Sequence, residues 1–302
     1  MIPQFPDFKL LEYTDKKDVE NLLQGFPTYS DFNFTSLHVW NVKNEMLISK
    51  LNGNLVVCFS DYITGNPFMS FLGIKEASET AAILIAHSKA KYDLPMLKLI
   101  PETVIQFLPE SDFCLIPERD SFDYIYPVPF FKLLSEQPAK CKPATLLRSF
   151  LKSYPLYAVT TLPLIDTNTD ELRCIFRRWA DNRGMDYRSL HEFLAFDRLL
   201  KSNNRNISVT TMAVSDALVG FIVIEILDQE NAICHFFKAN VSYKGVYDSL
   251  LWEVGKMLDD RGIQYLNFEQ DLGIDTLRQS KEKYKQHSFL KKYIVERKAN
   301  RL

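Results

Sequence analysis

The chain has 302 residues, of which 46% are hydrophobic and 25% are charged, and its formal net charge is −2. This length accommodates two domains of ordinary size, and the composition is ordinary for a soluble globular protein. The longest apolar run, residues 217–227, contains Gly220 and Glu225, so we expect no membrane-spanning segment.

The N-terminus and the cysteines indicate the compartment. No basic segment leads into an apolar one at the N-terminus, so we expect no secretory signal. The five cysteines are scattered singly, without a CxxC or cysteine–histidine spacing for zinc. An odd, dispersed set is typical of reduced thiols. The sequence therefore predicts a cytoplasmic protein without a metal site.

Charge is distributed unevenly along the chain. Residues 1–138 carry a net charge of −7, whereas residues 139–302 carry +5. The last segment, residues 276–302, holds nine basic residues and two acidic ones. A positive patch of this kind attracts phosphate-bearing partners. A solvated terminal face is the alternative interpretation.

The first half of the chain predicts a mixture of helices and strands. In chain order, the pattern favours a helix at 15–24, an aromatic segment at 30–40, strands at 46–51, 55–60 and 68–72, a helix at 76–92 and a strand at 96–100. Asn52, Gly53 and Asn54 separate two of these strands and predict a β-hairpin. Pro101 is placed to open a short helix.

A proline-rich segment separates the two halves. Residues 127–155 contain five prolines together with bases such as Lys140 and Lys142. We place the domain boundary there, which gives an N-terminal domain at 1–138 and a C-terminal domain at 139–302. A helix is predicted at 144–152.

The second half has clearer periodicity. It predicts helices at 170–183 and 189–201, antiparallel strands at 207–215, 218–227 and 232–239, a helix at 244–262, a strand at 265–271, a helix at 276–284 and a strand at 289–296. This order resembles the N-acetyltransferase-like (GNAT) fold, and the first half shows a looser version of it. Two such halves are similar to the Fem-type aminoacyltransferases. The predicted fold class is α/β (α+β), with two tandem GNAT-like domains whose mixed, mostly antiparallel sheets are flanked by helices.

Residues 235–284 carry a more specific pattern. The segment resembles the C-terminal domain of phosphatidylglycerol lysyltransferases and their soluble relatives, the DUF2156 family, which runs as H-x-E-K-A, Y-x-G-x-Y and N-R-E-x-D-L-G-x-x-G-L-R-x-x-K-x-S-Y. The matching positions are His235, Lys238, Ala239, Tyr243, Gly245, Tyr247, Asn267, Glu269, Asp271, Leu272, Gly273, Leu277, Arg278, Lys281 and Tyr284. The aromatic segment at 30–40 resembles the family's entry motif and extends the resemblance to most of the chain.

The chain departs from the family pattern at several positions. Phe268 stands where the family carries Arg, Phe237 where it carries Glu, and Thr276 where it carries Gly. The stretch KPATLLRSF, residues 142–150, replaces a basic cluster of the lipid-lysylating enzymes. Each change removes a polar or flexible group from the expected site, which motivates a non-catalytic, ligand-binding alternative.

Catalytic candidates come from the strand predicted at 265–271. Glu269 and Asp271 are two residues apart, so a regular strand turns both to one face together with Asn267. Polar groups at a strand end suit a base and its orienter, and a solvent-facing edge is the alternative. The resemblance adds His235, which is otherwise a core or edge residue. Lys238, three residues later, would point to the opposite face of a regular strand.

Donor-binding candidates lie at two helix starts. The turn at 243–247 opens a helix, whose free N–H groups favour a phosphate, and Gly245 beside Lys244 would allow close approach. Tyr247 replaces a small residue of the usual coenzyme-A loop, which argues against that donor. The alternative is a glycine that simply starts a helix.

The second helix start carries two cations. Arg278 and Lys281 share one helical face and suit a phosphate or carboxylate, unless Arg278 pairs with Asp271 or Glu282. Glu192 could approach the site from the second helix of this half, although a solvated position is the simpler interpretation. The predicted binding residues are Lys238, Lys244, Gly245, Tyr247, Asn267, Arg278 and Lys281.

The family resemblance and the basic C-terminal segment together favour an acyl- or aminoacyltransferase. Its acceptor would be an amine or hydroxyl, for example a lipid head group. The donor would be an aminoacyl-tRNA or an acyl-CoA, without a covalently bound cofactor, and the partner would be anionic: a tRNA 3′ end, an acyl-CoA or a lipid head group. Such transfer needs position, a base and oxyanion donors rather than a nucleophile. A coenzyme-A-dependent N-acetyltransferase and a non-catalytic binding protein are the alternatives.

Overall fold

The computed structural model describes residues 1–61, 64–202 and 204–298. They fall into two compact units: unit 1 comprises the described residues of 1–123 and of the segment from 290 onward, and unit 2 comprises those of 124–289. The division into domains at 1–138 and 139–302 remains a prediction. The compact units place residues 124–138 in unit 2 and the last strand in unit 1.

Helices and strands alternate along the described chain. The helices are α1 (Lys16–Leu23), α2 (Phe34–Trp40), α3 (Ala77–Tyr92), α4 (Glu102–Ile105), α5 (Val128–Lys132), α6 (Lys142–Ser153), α7 (Thr169–Asp181), α8 (His191–Leu200), α9 (Val246–Asp260) and α10 (Asp275–Glu282). The strands are β1 (Lys9–Leu10), β2 (Leu47–Leu51), β3 (Asn54–Ser60), β4 (Pro67–Leu72), β5 (Met96–Pro101), β6 (Phe113–Pro117), β7 (Asp123–Pro127), β8 (Ala158–Pro163), β9 (Ile207–Val214), β10 (Ala217–Ile226), β11 (Asn231–Ala239), β12 (Tyr265–Asn267), β13 (Ser288–Leu290) and β14 (Lys292–Arg297).

Unit 1 contains two sheets within its described residues, with strand orders β1-β2-β3-β4 and β5-β14-β6. The predicted hairpin is confirmed, since β2 and β3 pair antiparallel around Asn52 and Gly53, whose φ angles are 54° and 78°. Positive φ at both positions suits the tight turns that match strand twist. β14, the last described strand of the chain, pairs antiparallel with β5 and β6 and lies between them.

Unit 2 is built on a mixed sheet with the order β13-β7-β12-β11-β10-β9-β8 among its described residues. β9, β10 and β11 are antiparallel neighbours, as predicted, and β12 joins β11 in parallel after α9 crosses between them. Helices flank mostly antiparallel strands in both units, so the predicted fold class is confirmed.

The core of unit 2 is organised by α9. Val246, Leu250, Val254 and Leu258 recur every four residues on one face of this helix, and all four are buried. They belong to a cluster that includes Ile222 of β10. Burial of each such side chain contributes about 1.5–3 kcal/mol. This packing fixes α9 against the strands that carry the candidate site.

Two strand predictions were wrong. The strand predicted at 265–271 ends at Asn267, because Glu269 and Leu272 adopt φ angles of 57° and 56°, which no extended strand contains. The strand predicted at 289–296 is divided into β13 and β14, which belong to different sheets.

Four strands were missed. β1 has only two residues, and β6 was not singled out by any periodic pattern. β7 ends at Pro127, the first proline of the proline-rich segment, and its Tyr124, Ile125 and Tyr126 are buried. β8 is an edge strand whose residues are exposed or half-buried, so it lacks an apolar pattern.

Candidate functional site

The loop after β12 adopts a conformation that its polar side chains impose. The Asn267 side-chain oxygen accepts a hydrogen bond of 2.7 Å from the Glu269 N–H, and Asp271 Oδ1 accepts one of 2.9 Å from the Gly273 N–H. Such side-chain-to-backbone bonds two residues ahead compete with strand pairing. The three polar groups therefore do not alternate along a strand face, contrary to the prediction, and each has a separate environment.

Asp271 is the fully buried anchor of this loop. It accepts hydrogen bonds from Tyr124 Oη at 2.7 Å, from Arg278 Nε at 3.0 Å and from Arg278 Nη2 at 2.9 Å. The two-point bond to arginine is a strong and geometrically specific pair. The predicted alternative, in which Arg278 pairs with Asp271, is confirmed. Asp271 is shielded from solvent and Arg278 is 29% exposed, so these contacts give the pair a role in holding the loop.

Lys281 secures the same loop from α10. Its ammonium group donates to the carbonyl oxygens of Phe268 and Gln270, and the residue is only 7% exposed. The geometry therefore directs this cation at loop carbonyls, whereas the sequence placed it near a phosphate.

The basic run at the end of the chain is largely occupied by intramolecular contacts in the described residues. Lys281 and Lys292 are buried, and Arg278, Lys283 and Lys291 form ion pairs. Part of this run is therefore neutralised within the fold, while Lys285 and Arg297 are exposed, and the positive patch stays a prediction.

Glu269 lies beside His235, which sits at an irregularity in β11. The register between β10 and β11 shifts between Val223 and Ile224, and His235 is the unmatched residue. Its Nδ1 is 3.5 Å from Glu269 Oε1, and its Nε2 is 2.9 Å from Oε2 of Glu225. The structure thus brings two predicted residues together and adds Glu225, whose signal was a carboxylate inside the apolar run 217–227.

The charge of His235 follows from these neighbours. Burial alone lowers the pKa of the imidazole, but the hydrogen bond to Glu225 and the proximity of Glu269 more than offset burial and raise the pKa to about 9. His235 is therefore an imidazolium at neutral pH, and it does not have a free lone pair with which to act as a base. Glu269, whose side chain is 18% exposed, is the carboxylate of this group within reach of solvent.

Lys238 occupies a second environment, formed with α7 and α8. Its ammonium group is 2.6 Å from Glu192 Oε1 and 3.7 Å from the centre of the Trp179 ring. The register shift removes the regular alternation on which its predicted orientation depended. The approach of Glu192, which the sequence raised, is realised through this ion pair, and the contribution of Trp179 was missed.

The start of α9 is packed against α6. Gly245 has a φ of 89°, and a Cβ atom there would lie 2.2 Å from the carbonyl oxygen of Leu146. The glycine is therefore needed for close approach of α6, which supports the predicted alternative to a phosphate cradle. Tyr247 Oη accepts from the Ala239 N–H at 3.2 Å and lies 3.4 Å from the Ala239 carbonyl oxygen, while Lys244 is exposed.

The two aromatic departures from the family pattern contact each other. The rings of Phe237 and Phe268 meet edge to face with centres 6.2 Å apart. The ring centres of Phe237 and Tyr247 are 4.8 Å apart, and those of Phe268 and Tyr126 are 5.4 Å apart. Aromatic pairs of this geometry are mutually stabilising. The replacements therefore form a packed apolar wall in place of two isolated defects.

β11 extends beyond the end of β12 next to this wall. Their parallel pairing ends at Ile233 and Asn267, whereas β11 continues to Ala239. Asn240 N donates to Val219 O, and antiparallel alternation then turns the backbone groups of Phe237 away from β10 and towards the side on which β12 has ended. An extended ligand could pair with that strand edge. This strand edge, Glu269 and the aromatic wall are the candidate site in unit 2.

The chain is similar to known proteins in sequence and in fold. The sequence model of the family described as phosphatidylglycerol lysyltransferase, C-terminal, matches residues 25–296. A comparison with curated proteins gave no match.

Solved structures share the fold at low identity. A conserved protein of unknown function from Bacteroides thetaiotaomicron is 21% identical, with a TM-score of 0.76 over 99% of this chain and 100% of that one. A C-terminal domain (DUF2156) assigned to a lysylphosphatidylglycerol synthetase from Agrobacterium fabrum is 11% identical, with a TM-score of 0.64 over 95% and 92%. L-PGS from Bacillus licheniformis is 15% identical, with a TM-score of 0.61 over 100% and 95%.

Proposed function

The chain belongs to the family of phosphatidylglycerol lysyltransferase C-terminal domains, and from this premise we propose that it is an acyl- or aminoacyltransferase. It would move the group from an activated donor, an aminoacyl-tRNA or an acyl-CoA, to an amine or hydroxyl. A lipid head group is one such acceptor. Within the described residues, no helix has both the length and the apolarity needed to cross a bilayer.

The observation that carries the proposal is the edge of β11 beyond the end of β12, with Glu269 beside His235 of the same strand. A strand edge that presents the backbone of Phe237 suits an extended donor arm, and the wall of Phe237 and Phe268 suits its apolar portion. Glu269 is a partly exposed carboxylate that lies beside this edge, because it approaches His235 of β11. Its left-handed backbone, with φ of 57°, is the kind of strain that concentrates at functional sites.

The reaction that these groups support is direct attack by the acceptor on the donor carbonyl. The new C–N or C–O bond forms as the donor's C–O or C–S bond breaks, without a covalent enzyme intermediate. Glu269 would take the proton from the attacking group, and the leaving oxygen or sulfur would receive it. Backbone N–H groups at the irregular part of β11 are candidates to stabilise the oxyanion.

The two donor classes, coenzyme-A thioesters and aminoacyl esters, are not supported equally by the structure. The start of α9 is covered by α6 at Gly245, which does not favour coenzyme-A phosphates at that helix. Exposed Lys244 and partly exposed Arg278 would then contact a donor phosphate only from the surface. We therefore favour an aminoacyl ester over a coenzyme-A thioester.

A donor panel tests the proposal. Purified protein is incubated with individual aminoacyl-tRNAs or acyl-CoAs and with phosphatidylglycerol vesicles or polyamines, and donor consumption and labelled product are measured. We expect product from at least one aminoacyl-tRNA, and a loss of about 10²–10⁴-fold in its rate for Glu269→Gln, the range for removal of a general base.

Glu253→Gln is the matched control, because Glu253 of α9 is a similarly buried glutamate, with a side chain 15% exposed, that accepts a hydrogen bond from the Tyr157 hydroxyl. It should retain the transfer rate. Salt-sensitive binding of donor without turnover, in wild-type protein, would instead favour the non-catalytic alternative. Transfer that is unchanged in Glu269→Gln would overturn the assignment of the base.

A further inference from the structure

A buried line of polar side chains leads to Glu269 from the opposite side of β10. It runs from Asn204, just after α8, to Glu225 on β10, then to His235 on β11 and finally to Glu269. We propose that Asn204 and Glu225 are positioning residues for Glu269 and that they act through His235. This inference rests on the proposed function, which assigns the acceptor's proton to Glu269.

The first link fixes the carboxylate of Glu225. Asn204 Nδ2 donates a hydrogen bond of 2.6 Å to Glu225 Oε1, and both residues are buried. The orientation of the asparagine amide is set independently, because its Oδ1 accepts from the Asn206 N–H at 3.0 Å. The amide therefore has to present its N–H₂ group to Glu225.

The second link decides where the protons of His235 lie. An ionised carboxylate only accepts hydrogen bonds, so Nε2, at 2.9 Å from Glu225 Oε2, carries a proton. In the neutral ring, Nδ1 would then turn a lone pair towards Glu269 Oε1 at 3.5 Å. A proton on Nδ1 replaces that repulsion with an attraction, so the geometry favours the imidazolium between two carboxylates.

The last link, between His235 and Glu269, is not a hydrogen bond in this structure. Within the described residues, neither His235 Nδ1 nor Glu269 Oε1 has a hydrogen-bond partner, and both atoms are shielded from solvent. Their separation of 3.5 Å is longer than an ordinary hydrogen bond. Contacts of this kind commonly shorten when the substrate binds. Glu269 Oε1 would then bind His235, and Oε2 would serve the acceptor.

The charges around His235 come from several elements. Glu225 of β10 and Glu269 of the loop after β12 face it directly. The neighbouring thiol of Cys234 is kept neutral, because burial raises its pKa well above the usual range. Lys238 is paired with Glu192, and Lys281 is bound to loop carbonyls. The imidazolium is therefore balanced mainly by the two glutamates.

The test measures the ring of His235 before it measures activity. Its protonation is followed by ¹⁵N–¹H NMR against pH in the wild type, in Glu225→Gln, in Asn204→Ala and in the control Glu253→Gln. We expect Glu225→Gln to lower the apparent pKa of His235 by more than one pH unit, Asn204→Ala to lower it less, and Glu253→Gln to leave it unchanged. Asn204→Ala keeps both carboxylates, so it remains informative where Glu225→Gln does not fold.

Activity then separates positioning from simple stability. In transfer with the donor that the panel identifies, Glu225→Gln should lower kcat by about tenfold, the scale for an outer residue that orients a reactive one, with KM for the donor unchanged. Part of the loss should be recovered below pH 6, where the ring regains its proton. The inference would be overturned if His235 titrated as in the wild type in both Glu225→Gln and Asn204→Ala, and if both variants kept the wild-type dependence of activity on pH. Absence of transfer in wild-type protein would instead refute the proposed function, while the NMR titration still decides whether the links to His235 exist.

Discussion

The environment of Glu269 is formed by residues that are distant from it in sequence. His235 precedes it by one long helix and one strand, and Glu225 lies on yet another strand, but the three side chains form one buried sequence of contacts. The local sequence identified Glu269 through its neighbours Asn267 and Asp271. Those two residues in fact shape and anchor the loop, so local spacing found the right segment for a different reason.

The protonation of His235 gives a pH-dependent stability. The folded-state pKa of about 9 is above the unfolded value near 6.5, so the contribution is fully present below pH 6.5 and is lost as the pH rises through 9. The size of this pKa shift corresponds to a contribution of about 3 kcal/mol to the free energy of unfolding.

We therefore expect the difference in free energy of unfolding between the wild type and His235→Gln to be largest at pH 6 and to shrink by about this amount at pH 10. Urea denaturation at several pH values measures it. His287→Gln, at an exposed position in the same unit, serves as the control and should not show the same narrowing. A difference that stays constant from pH 6 to 10 would refute the buried imidazolium.

At the scale of elements, α9 was predicted well because its information is local. Apolar residues at four-residue intervals and a glycine at each end are visible without any tertiary contact. The bounds of β12 were predicted poorly, because its end is set by side-chain-to-backbone bonds in the loop rather than by alternation.

Gly255 in the middle of α9 marks a close helix contact that hydrophobic periodicity does not reveal. A Cβ atom there would lie 2.6 Å from the Lys132 backbone nitrogen and 2.6 Å from Phe131 Cβ, both in α5. We expect Gly255→Ala to lower the free energy of unfolding by about 1–3 kcal/mol, because the overlap outweighs the higher helix propensity of alanine.

Hydrogen exchange locates the effect of this substitution. Gly255→Ala should accelerate exchange in α5 as well as in α9. Gly262→Ala is the control, since its φ of 80° is strained for alanine but no atom lies within 4 Å of the added Cβ. It should destabilise without a selective change in α5. Equal α5 exchange in both variants would show that α5 and α9 do not approach as described.

At the scale of the whole molecule, the chain end completes unit 1. β14 lies between β5 and β6, and its Lys292 is buried with its ammonium group bonded to Asp31 and to Asp123, the latter at 2.7 Å. Ser30 also donates to Asp123, at 2.6 Å. Burial lowers the pKa of Lys292, but the two aspartates outweigh it and raise the pKa to about 12. The charge thus persists throughout the physiological range.

Lys292→Met should destabilise unit 1 strongly. The substitution leaves two carboxylates buried without their cation, which costs about 3–5 kcal/mol. Thermal unfolding and hydrogen exchange over β5 and β6 measure the loss, and Lys298→Met, at an exposed position beyond β14, is the control. The triple variant with Asp31→Leu and Asp123→Leu should recover part of the stability. A single Lys292→Met change without effect would contradict the buried ion cluster.

The sequence by itself determined the fold class, most elements of the second half and the family pattern, because periodicity, turn residues and motif spacing are properties of neighbouring residues. Only the tertiary structure decided the partners: Glu225 opposite His235, Phe237 against Phe268, Arg278 on Asp271, and β14 inside unit 1. Such pairs depend on strand register and on connections across many residues. A single irregular residue in β11 changes which side chains face each other, and no local pattern encodes that shift.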